Sequence, residues 1–247
     1  MKLVLKPDAN DARRVRELLE RHKDASIMQD RIRRNLASHK RPVTRNHFWQ
    51  ILVSCLTTTQ QRSSPGGKVD VFCRTRPFPL RYSICGAYRD VEAFTYKILR
   101  RFGLRRTKSI AREVAHNFEL LENGFWPEVS KRLELLRRSG SPKVEREVAD
   151  FIDDNLLGFG PKQSRNLLQW LGLTKFETPV DSRVTKWLND SGFPFPLSAS
   201  LLADRRYYHF VSDSISKLCS KAGVFPCVFD AAVFASFDDV SRKDRGA

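Results

Sequence analysis

Residues 156–184 constrain the fold of this chain more than any other part of its sequence. They read LLGFGPKQSRNLLQWLGLTKFETPVDSRV. A Gly-Phe-Gly turn at 158–160 separates an apolar helical stretch from a second helix that begins near Pro161, with Lys162 in its first turn. Asp181 follows nineteen residues after Lys162, at the start of another helix. The segment predicts two helices joined by a glycine turn, and a third helix that opens on an aspartate.

The remainder of the chain favours helices. Apolar residues recur at helical spacing, and no alternating strand pair, hairpin turn or internal repeat appears. Helices are predicted over residues 9–23, 26–37, 45–59, 90–101, 102–118, 126–137, 142–155, 204–222 and 225–237. Asn10 or Asp11 is expected to cap the first helix, and Ser64–Pro65 to open another, while residues 69–89 read as irregular or broken helix. The sequence therefore predicts an all-α fold.

The charge of the chain indicates a polyanionic partner. The 44 Lys and Arg against 28 Asp and Glu give a formal net charge of +16 and a pI near 10.0. Such a charge concentrates polyanions at the surface, and nucleic acid is the commonest of them. A ribosome-associated protein, or a basic protein without such a partner, is the alternative on charge alone.

The cysteine spacing and the hydropathy of the chain indicate where in the cell the protein is found. The five cysteines form no CxxC pair, as expected of reduced thiols rather than of a zinc or iron–sulfur site. The N-terminal apolar run is too short for a signal peptide, and no window approaches the ~18 apolar residues of a membrane span. We therefore expect a soluble protein without cofactor, cytoplasmic and nucleoid-associated, or nuclear in a eukaryote.

The central segment combines groups that suit chemistry on a phosphate-bearing substrate. Gly158 and Gly160 permit positive φ and close backbone approach, and the helix from Pro161 presents amide N–H groups that favour a phosphate. The same helix end disfavours a charged amine and so favours Lys162 as a nucleophile. Asp181 suits a helix N-cap that also acts in catalysis. A plain connection between helices, with Asp181 as a cap only, is the structural alternative.

LLGFGPKQSRNLLQW followed by TPVDSRV resembles the helix–hairpin–helix and Gly/Pro-rich-Asp signature of the base-excision DNA glycosylases, whose members include endonuclease III and 8-oxoguanine DNA glycosylase. The resemblance implies that the hairpin at Gly158 and Gly160 binds DNA phosphate, with a cation at the hairpin carbonyls as the one candidate metal. It implies that Lys162 is the nucleophile of a bifunctional glycosylase and abasic-site (AP) lyase. Asp181 is then its catalytic aspartate.

The resemblance extends to the flanking helices. Gln60, at the polar tip of the helix over 45–59, matches the residue that fills the hole left by the flipped base, and so joins Gly158, Gly160 and Lys162 as a DNA-binding candidate. Asp230 and Phe234, four residues apart and thus on one helical face, suit a base pocket, or alternatively a helix cap and core packing.

The resemblance also implies an architecture. The chain would form two helical subdomains with the cleft between them: residues 46–173 as a barrel ending in the hairpin, and residues 1–45 with 174–247. Only Cys219 and Cys227 occur where typical endonuclease III has four iron–sulfur cysteines, which favours the cluster-free 8-oxoguanine branch.

The predicted protein is thus a monomeric enzyme that acts on double-stranded DNA containing a damaged base. The predicted reaction is removal of an oxidised base, foremost 8-oxoguanine, through a lysine Schiff base and β-elimination. An oxidised-pyrimidine glycosylase of the endonuclease III type and a non-catalytic helix–hairpin–helix DNA-binding protein are the alternatives. RNA binding is disfavoured because the sequence lacks aromatic RNA-binding signatures.

Overall fold

The computed structural model describes residues 5–37, 41–61 and 66–243, with side chains to residue 237. These residues form thirteen α-helices, one π-helical turn at Leu121–Phe125 and one 3₁₀ turn at Leu201–Ala203, and they contain no strand. The helices are α1 (Ala9–His22), α2 (Ser26–Asn35), α3 (Arg45–Thr57), α4 (Lys68–Arg74), α5 (Tyr82–Cys85), α6 (Val91–Arg101), α7 (Thr107–Leu120), α8 (Trp126–Ser139), α9 (Pro142–Asn155), α10 (Pro161–Trp170), α11 (Ser182–Asp190), α12 (Arg205–Ala222) and α13 (Pro226–Lys243). The predicted all-α fold is confirmed.

The first of two apolar clusters surrounds α3. This helix is apolar on almost every side, and Phe48, Trp49 and Leu52 have no exposed surface. The Trp49 indole donates a hydrogen bond to the Leu80 carbonyl oxygen at 2.7 Å, so the large buried ring has no unsatisfied polar atom. All fully buried members of this cluster lie between Phe48 and Leu173.

The second cluster joins the two ends of the chain. It combines buried residues of α1 and α2, such as Val15 and Met28, with buried residues of α11, α12 and α13. None of the described residues between 37 and 179 belongs to it. The division into residues 46–173 and residues 1–45 with 174–247 stays a prediction.

A set of ion pairs, here called the ionic seam, connects the two clusters. Arg165 of α10 has no exposed surface, and its guanidinium lies 2.9 Å from the Glu177 carboxylate and 2.7 Å from that of Asp150. Arg146 of α9 then links Glu177 to Asp213 of α12, at 2.8 Å and 2.7 Å. Breaking a buried pair of this kind leaves an uncompensated charge, so the seam favours one relative placement of α9, α10 and α12.

Residues 69–89, predicted as irregular or broken helix, contain most of α4 and all of α5, two short helices separated by a break. Two local predictions were wrong. The cap of α1 is Asp8, which accepts the Asp11 N–H at 2.8 Å in a capping box, so neither Asn10 nor Asp11 is the N-cap. Helix α13 continues to Lys243, six residues beyond the predicted end at residue 237. The predicted Ser64–Pro65 helix start lies outside the described residues.

Within the described ranges no single helix is long and apolar enough to cross a membrane. Helix α12 and the first part of α13, bent by 94° against each other, meet the length and composition criteria only as a pair.

Candidate active site

A large cleft of about 1330 Å³ separates the tip of α3, the turn before α10 and α10 itself from α2, α11 and α13. The residues singled out from the sequence all line this cleft: Gln60, Gly158, Gly160, Lys162, Asp181, Asp230 and Phe234. The fold thus brings together positions that are up to 174 residues apart in the sequence, from Gln60 to Phe234.

The hairpin between α9 and α10 is held from outside by Asn117 of α7. The fully buried Asn117 side chain donates to the Leu157 carbonyl oxygen and accepts the Leu157 N–H, both at 2.9 Å. Gly158 then adopts φ +86°, and a Cβ at this position would lie 2.7 Å from side-chain atoms of Leu56 and Glu113. Gly158 is therefore required both by its backbone conformation and by the close packing around it.

Gly160 does not use the positive φ that a glycine permits. This residue has φ −117°, and a Cβ built on it would meet no atom within 4 Å. Gly160 is the N-cap of α10 and provides no side chain to cap it. Because the first-turn amides of a helix have no intrahelical acceptors, a glycine here leaves them accessible to a ligand in the cleft.

Replacement by alanine is predicted to change the free energy of unfolding differently at the two glycines. Gly158→Ala should lower the free energy of unfolding by about 1–3 kcal/mol, since it forces a Cβ into the left-handed region and against Leu56 and Glu113. Gly160→Ala is the matched control and should change that free energy by less than about 0.5 kcal/mol. Urea unfolding of both variants measures this, and equal losses of stability would contradict the assignment.

Lys162 is the second residue of α10 and is partly buried at the cleft wall. Its Nζ lies 3.4 Å from Oε1 of Gln163. The Gln163 amide group in turn donates to the Cys55 carbonyl oxygen at 2.9 Å and to Thr59 Oγ1 at 2.6 Å. Gln163, which the sequence reading missed, therefore fixes the start of α10 against the tip of α3.

Asp181 is the N-cap of α11. Its Oδ1 accepts the N–H groups of Arg183 and Val184 at 2.8 Å and 3.0 Å. Its Oδ2 lies 3.5 Å from the Arg183 guanidinium. One carboxylate oxygen thus caps the helix while the other pairs with Arg183.

The segment that leads to Asp181 is held by buried side chains. The Glu145 carboxylate accepts the backbone N–H groups of residues 175–177 at 2.8–3.0 Å. The Tyr208 hydroxyl donates to the Thr178 carbonyl oxygen at 3.1 Å and accepts the Val180 N–H at 2.8 Å. These contacts position Asp181 before any ligand is bound.

Asp230 and Phe234 lie on the cleft side of α13. Asp230 is 8% exposed and accepts the Gln169 side-chain N–H at 2.8 Å. Burial raises the pKa of Asp230 to about 6, against the opposing effect of Arg31, whose guanidinium lies 3.1 Å away. The Arg183 guanidinium covers one face of the Phe234 ring, at 4.0 Å from its centroid. The base-pocket role of Asp230 and Phe234 stays a prediction.

Gln60 projects from the tip of α3. It is exposed and adopts φ +55°, a conformation that is uncommon outside glycine and is concentrated at functional sites. The neighbouring Gln61 holds the tip, since its amide group donates to the Thr57 carbonyl oxygen at 2.9 Å and accepts the Arg105 N–H at 2.7 Å. This bracing leaves Gln60 as the projecting side chain.

No group of three His, Cys, Asp or Glu side chains among the described residues could hold a metal ion. Cys219 and Cys227 are buried free thiols. The expected lack of an iron–sulfur cluster stays a prediction.

The fold and the cleft define a class: all-α proteins with a helix–hairpin–helix motif beside a cleft between two helical clusters. Solved structures of 8-oxoguanine DNA glycosylases share this fold. The 8-oxoguanine glycosylase/lyase of Methanocaldococcus jannaschii, solved with a 15mer DNA containing 8-oxoguanine, matches with a TM-score of 0.63 over 88% of this chain and 94% of that chain, at 13% identity.

Two further solved structures share the fold of this chain. Another structure of the M. jannaschii 8-oxoguanine DNA glycosylase matches at 14% identity with a TM-score of 0.63, over 92% of this chain and 94% of that chain. The 8-oxoguanine DNA glycosylase of Thermotoga maritima matches at 15% identity with a TM-score of 0.58, over 90% and 93%. No protein-family model and no curated protein matches the sequence. The predicted resemblance is thus confirmed for the fold.

Proposed function

We propose that this protein is a bifunctional DNA glycosylase and AP lyase that removes 8-oxoguanine from double-stranded DNA, acting as a monomer. One observation carries the proposal. Lys162 and Asp181, each at the N-terminus of a different helix, line one cleft in a chain that has the fold of 8-oxoguanine DNA glycosylases.

Phosphate contacts would supply most of the affinity for DNA. The chain carries a net charge of +16, and Arg34, Arg74 and Arg105 line the cleft. The uncovered amides at the start of α10, beside Gly160, are suited to one phosphate.

The hairpin fits a bound cation that would add positive charge at this phosphate. The Leu156 and Leu157 carbonyl oxygens each accept one hydrogen bond, from Phe159 and from Asn117, and each retains a second lone pair that could hold the cation. The reaction itself uses only groups of the protein and the DNA.

Extrusion of the damaged nucleotide costs a few kcal/mol of stacking and pairing. Gln60 is placed to offset this cost, because it is the exposed side chain at the braced tip of α3. Its amide can fill the space left in the duplex and form hydrogen bonds with the orphaned base. The extruded base would then enter the part of the cleft beside Asp230 and Phe234.

The chemical step begins with the free amine of Lys162. Its nitrogen attacks C1′ while the C1′–N9 bond breaks, and the departing base takes up a proton equivalent to the one that the amine loses. The Asp181 carboxylate stabilises the positive charge that develops at C1′. Opening of the sugar ring gives a Schiff base between Lys162 and C1′, and loss of a C2′ proton then expels the 3′ phosphate.

A panel of duplexes tests this function. The protein should cleave DNA with 8-oxoguanine or a preformed abasic site, and borohydride should trap a covalent adduct on both because both pass through the Schiff base. Duplexes with guanine, uracil or thymine glycol are the controls. Preferred cleavage at thymine glycol would instead indicate an oxidised-pyrimidine enzyme, and failure to cleave any duplex would indicate a DNA-binding protein without catalysis.

A further inference from the structure

We propose that Arg31 of α2 is a specificity-determining residue, whose guanidinium donates to the C8 oxygen of the extruded 8-oxoguanine. This inference rests on the proposed function and adds a residue that the sequence pattern did not indicate. It assigns recognition of the oxidised edge of the base to the N-terminal helices rather than to the hairpin.

The Arg31 guanidinium is buried, and part of its hydrogen-bond donor capacity is unused. The residue is 5% exposed, and its Nε and Nη1 atoms have no hydrogen-bond partner in the described residues. Nη1 lies 3.1 Å from Asp230 Oδ2, which makes an ion pair but does not meet the geometry of a hydrogen bond. Buried donors are nearly always satisfied in folded proteins, so two unpaired donor atoms on a residue that lines the cleft point to an acceptor on a ligand.

Arg31 also lies at the correct place for base recognition. It lines the cleft with Asp230 and Gln169. The charges of Lys162 and Asp181 act on Asp230, the ion-pair partner of Arg31, which places the pair within electrostatic reach of the reacting groups. A base held by Arg31 and Asp230 would therefore keep its sugar near Lys162.

The chemistry of the pair selects the kind of ligand. Arg31 offers donors and Asp230 offers an acceptor next to them, so a phosphate, which carries only acceptors, would be repelled by the carboxylate. The matching edge has a carbonyl oxygen beside an N–H. Guanine and 8-oxoguanine share one such edge, O6 beside N1–H, but on the imidazole ring only 8-oxoguanine has one, O8 beside N7–H. With its imidazole edge toward the pair, guanine would place its N7 lone pair against the Asp230 carboxylate.

Asp230 is needed beside Arg31 because an arginine alone would not favour 8-oxoguanine over guanine. Arginine pairs readily with O6 and N7 of ordinary guanine. With Asp230 at 3.1 Å, the acceptor N7 of guanine becomes unfavourable while the donor N7–H of 8-oxoguanine becomes favourable. Arg31 then gains the C8 oxygen that only the oxidised base carries.

The test compares two reactions of one variant. Arg31→Met keeps an unbranched apolar side chain but removes the donors, and should lower the ratio of the 8-oxoguanine excision rate to the AP-lyase rate by about 10–100-fold. A preformed abasic site carries no base, so the AP-lyase reaction normalises for folding and for the Lys162 chemistry. Arg31→Lys keeps a charge opposite Asp230 and should restore part of the ratio.

The outcomes separate this inference from the proposed function. An unchanged ratio in Arg31→Met, whether both rates persist or both fall together, overturns the role of Arg31 in base recognition. A wild-type protein that shows neither reaction overturns the proposed function instead. Thermal unfolding of both variants checks that they fold.

Discussion

Replacing Lys162 with Gln is expected to abolish the covalent adduct that borohydride traps between the wild-type protein and DNA containing 8-oxoguanine. The amide nitrogen of Gln is not a nucleophile, so neither the Schiff base nor β-elimination can follow. Loss of a covalent nucleophile should lower the strand-cleavage rate by at least about 10³-fold. Denaturing gels of labelled duplex measure both the adduct and the nick.

Lys186→Gln is the matched control for this variant. Lys186 lies on α11, pairs with Asp190 at 2.9 Å and is well exposed, so its replacement makes the same charge change away from the cleft. It should leave adduct formation within about twofold of wild type, as expected for a surface substitution. An adduct that persists at the wild-type level in Lys162→Gln would mean that another amine is the nucleophile.

Asp181→Asn should lower the rate of 8-oxoguanine excision by about 10²–10³-fold while duplex binding stays within about threefold. Asn is as good an N-cap as Asp, so the hydrogen bonds to the N–H groups of Arg183 and Val184 can persist. The substitution removes the negative charge opposite the developing cation at C1′, a contribution typical of such electrostatic stabilisation. Single-turnover kinetics and fluorescence anisotropy measure the two quantities.

Asp90→Asn provides the comparison. Asp90 caps α6 by accepting the Ala93 N–H at 2.8 Å, and it is exposed outside the cleft. Its replacement should change neither excision nor binding. If Asp181→Asn reduced binding and excision to the same degree, Asp181 would act through its cap alone.

The local sequence was sufficient to predict the turn and the helices that carry the candidate site. A glycine turn, a proline at the first helical position and an aspartate before a helix are signals within a few residues, and they located the hairpin, α10 and α11. The apolar runs located most of the helices, because helical periodicity survives without knowledge of the partners. The sequence did not show which glycine uses positive φ, because glycine fits both open space and positive φ, and only the backbone distinguishes the two uses.

The supporting residues could not be found in the same way. Asn117, Gln163 and Arg31 act on groups that lie 40 or more residues away, so their roles depend on which helices pack together. Helix α10 carries Gln163, Asn166 and Gln169 at intervals of three, a polar stripe that reads as a solvated face until α3 and α13 are seen to cover it. The sequence signal was present, but its meaning was set by tertiary packing.

The ionic seam has a consequence for how the protein responds to ionic strength. The Arg165–Glu177 pair is almost wholly excluded from solvent, so dissolved ions screen it little. Contacts with DNA phosphates are of the opposite kind, since added salt competes with them directly. Rising salt should therefore release the protein from DNA well before it alters the width of the cleft, and a released molecule would retain the geometry required for another turnover.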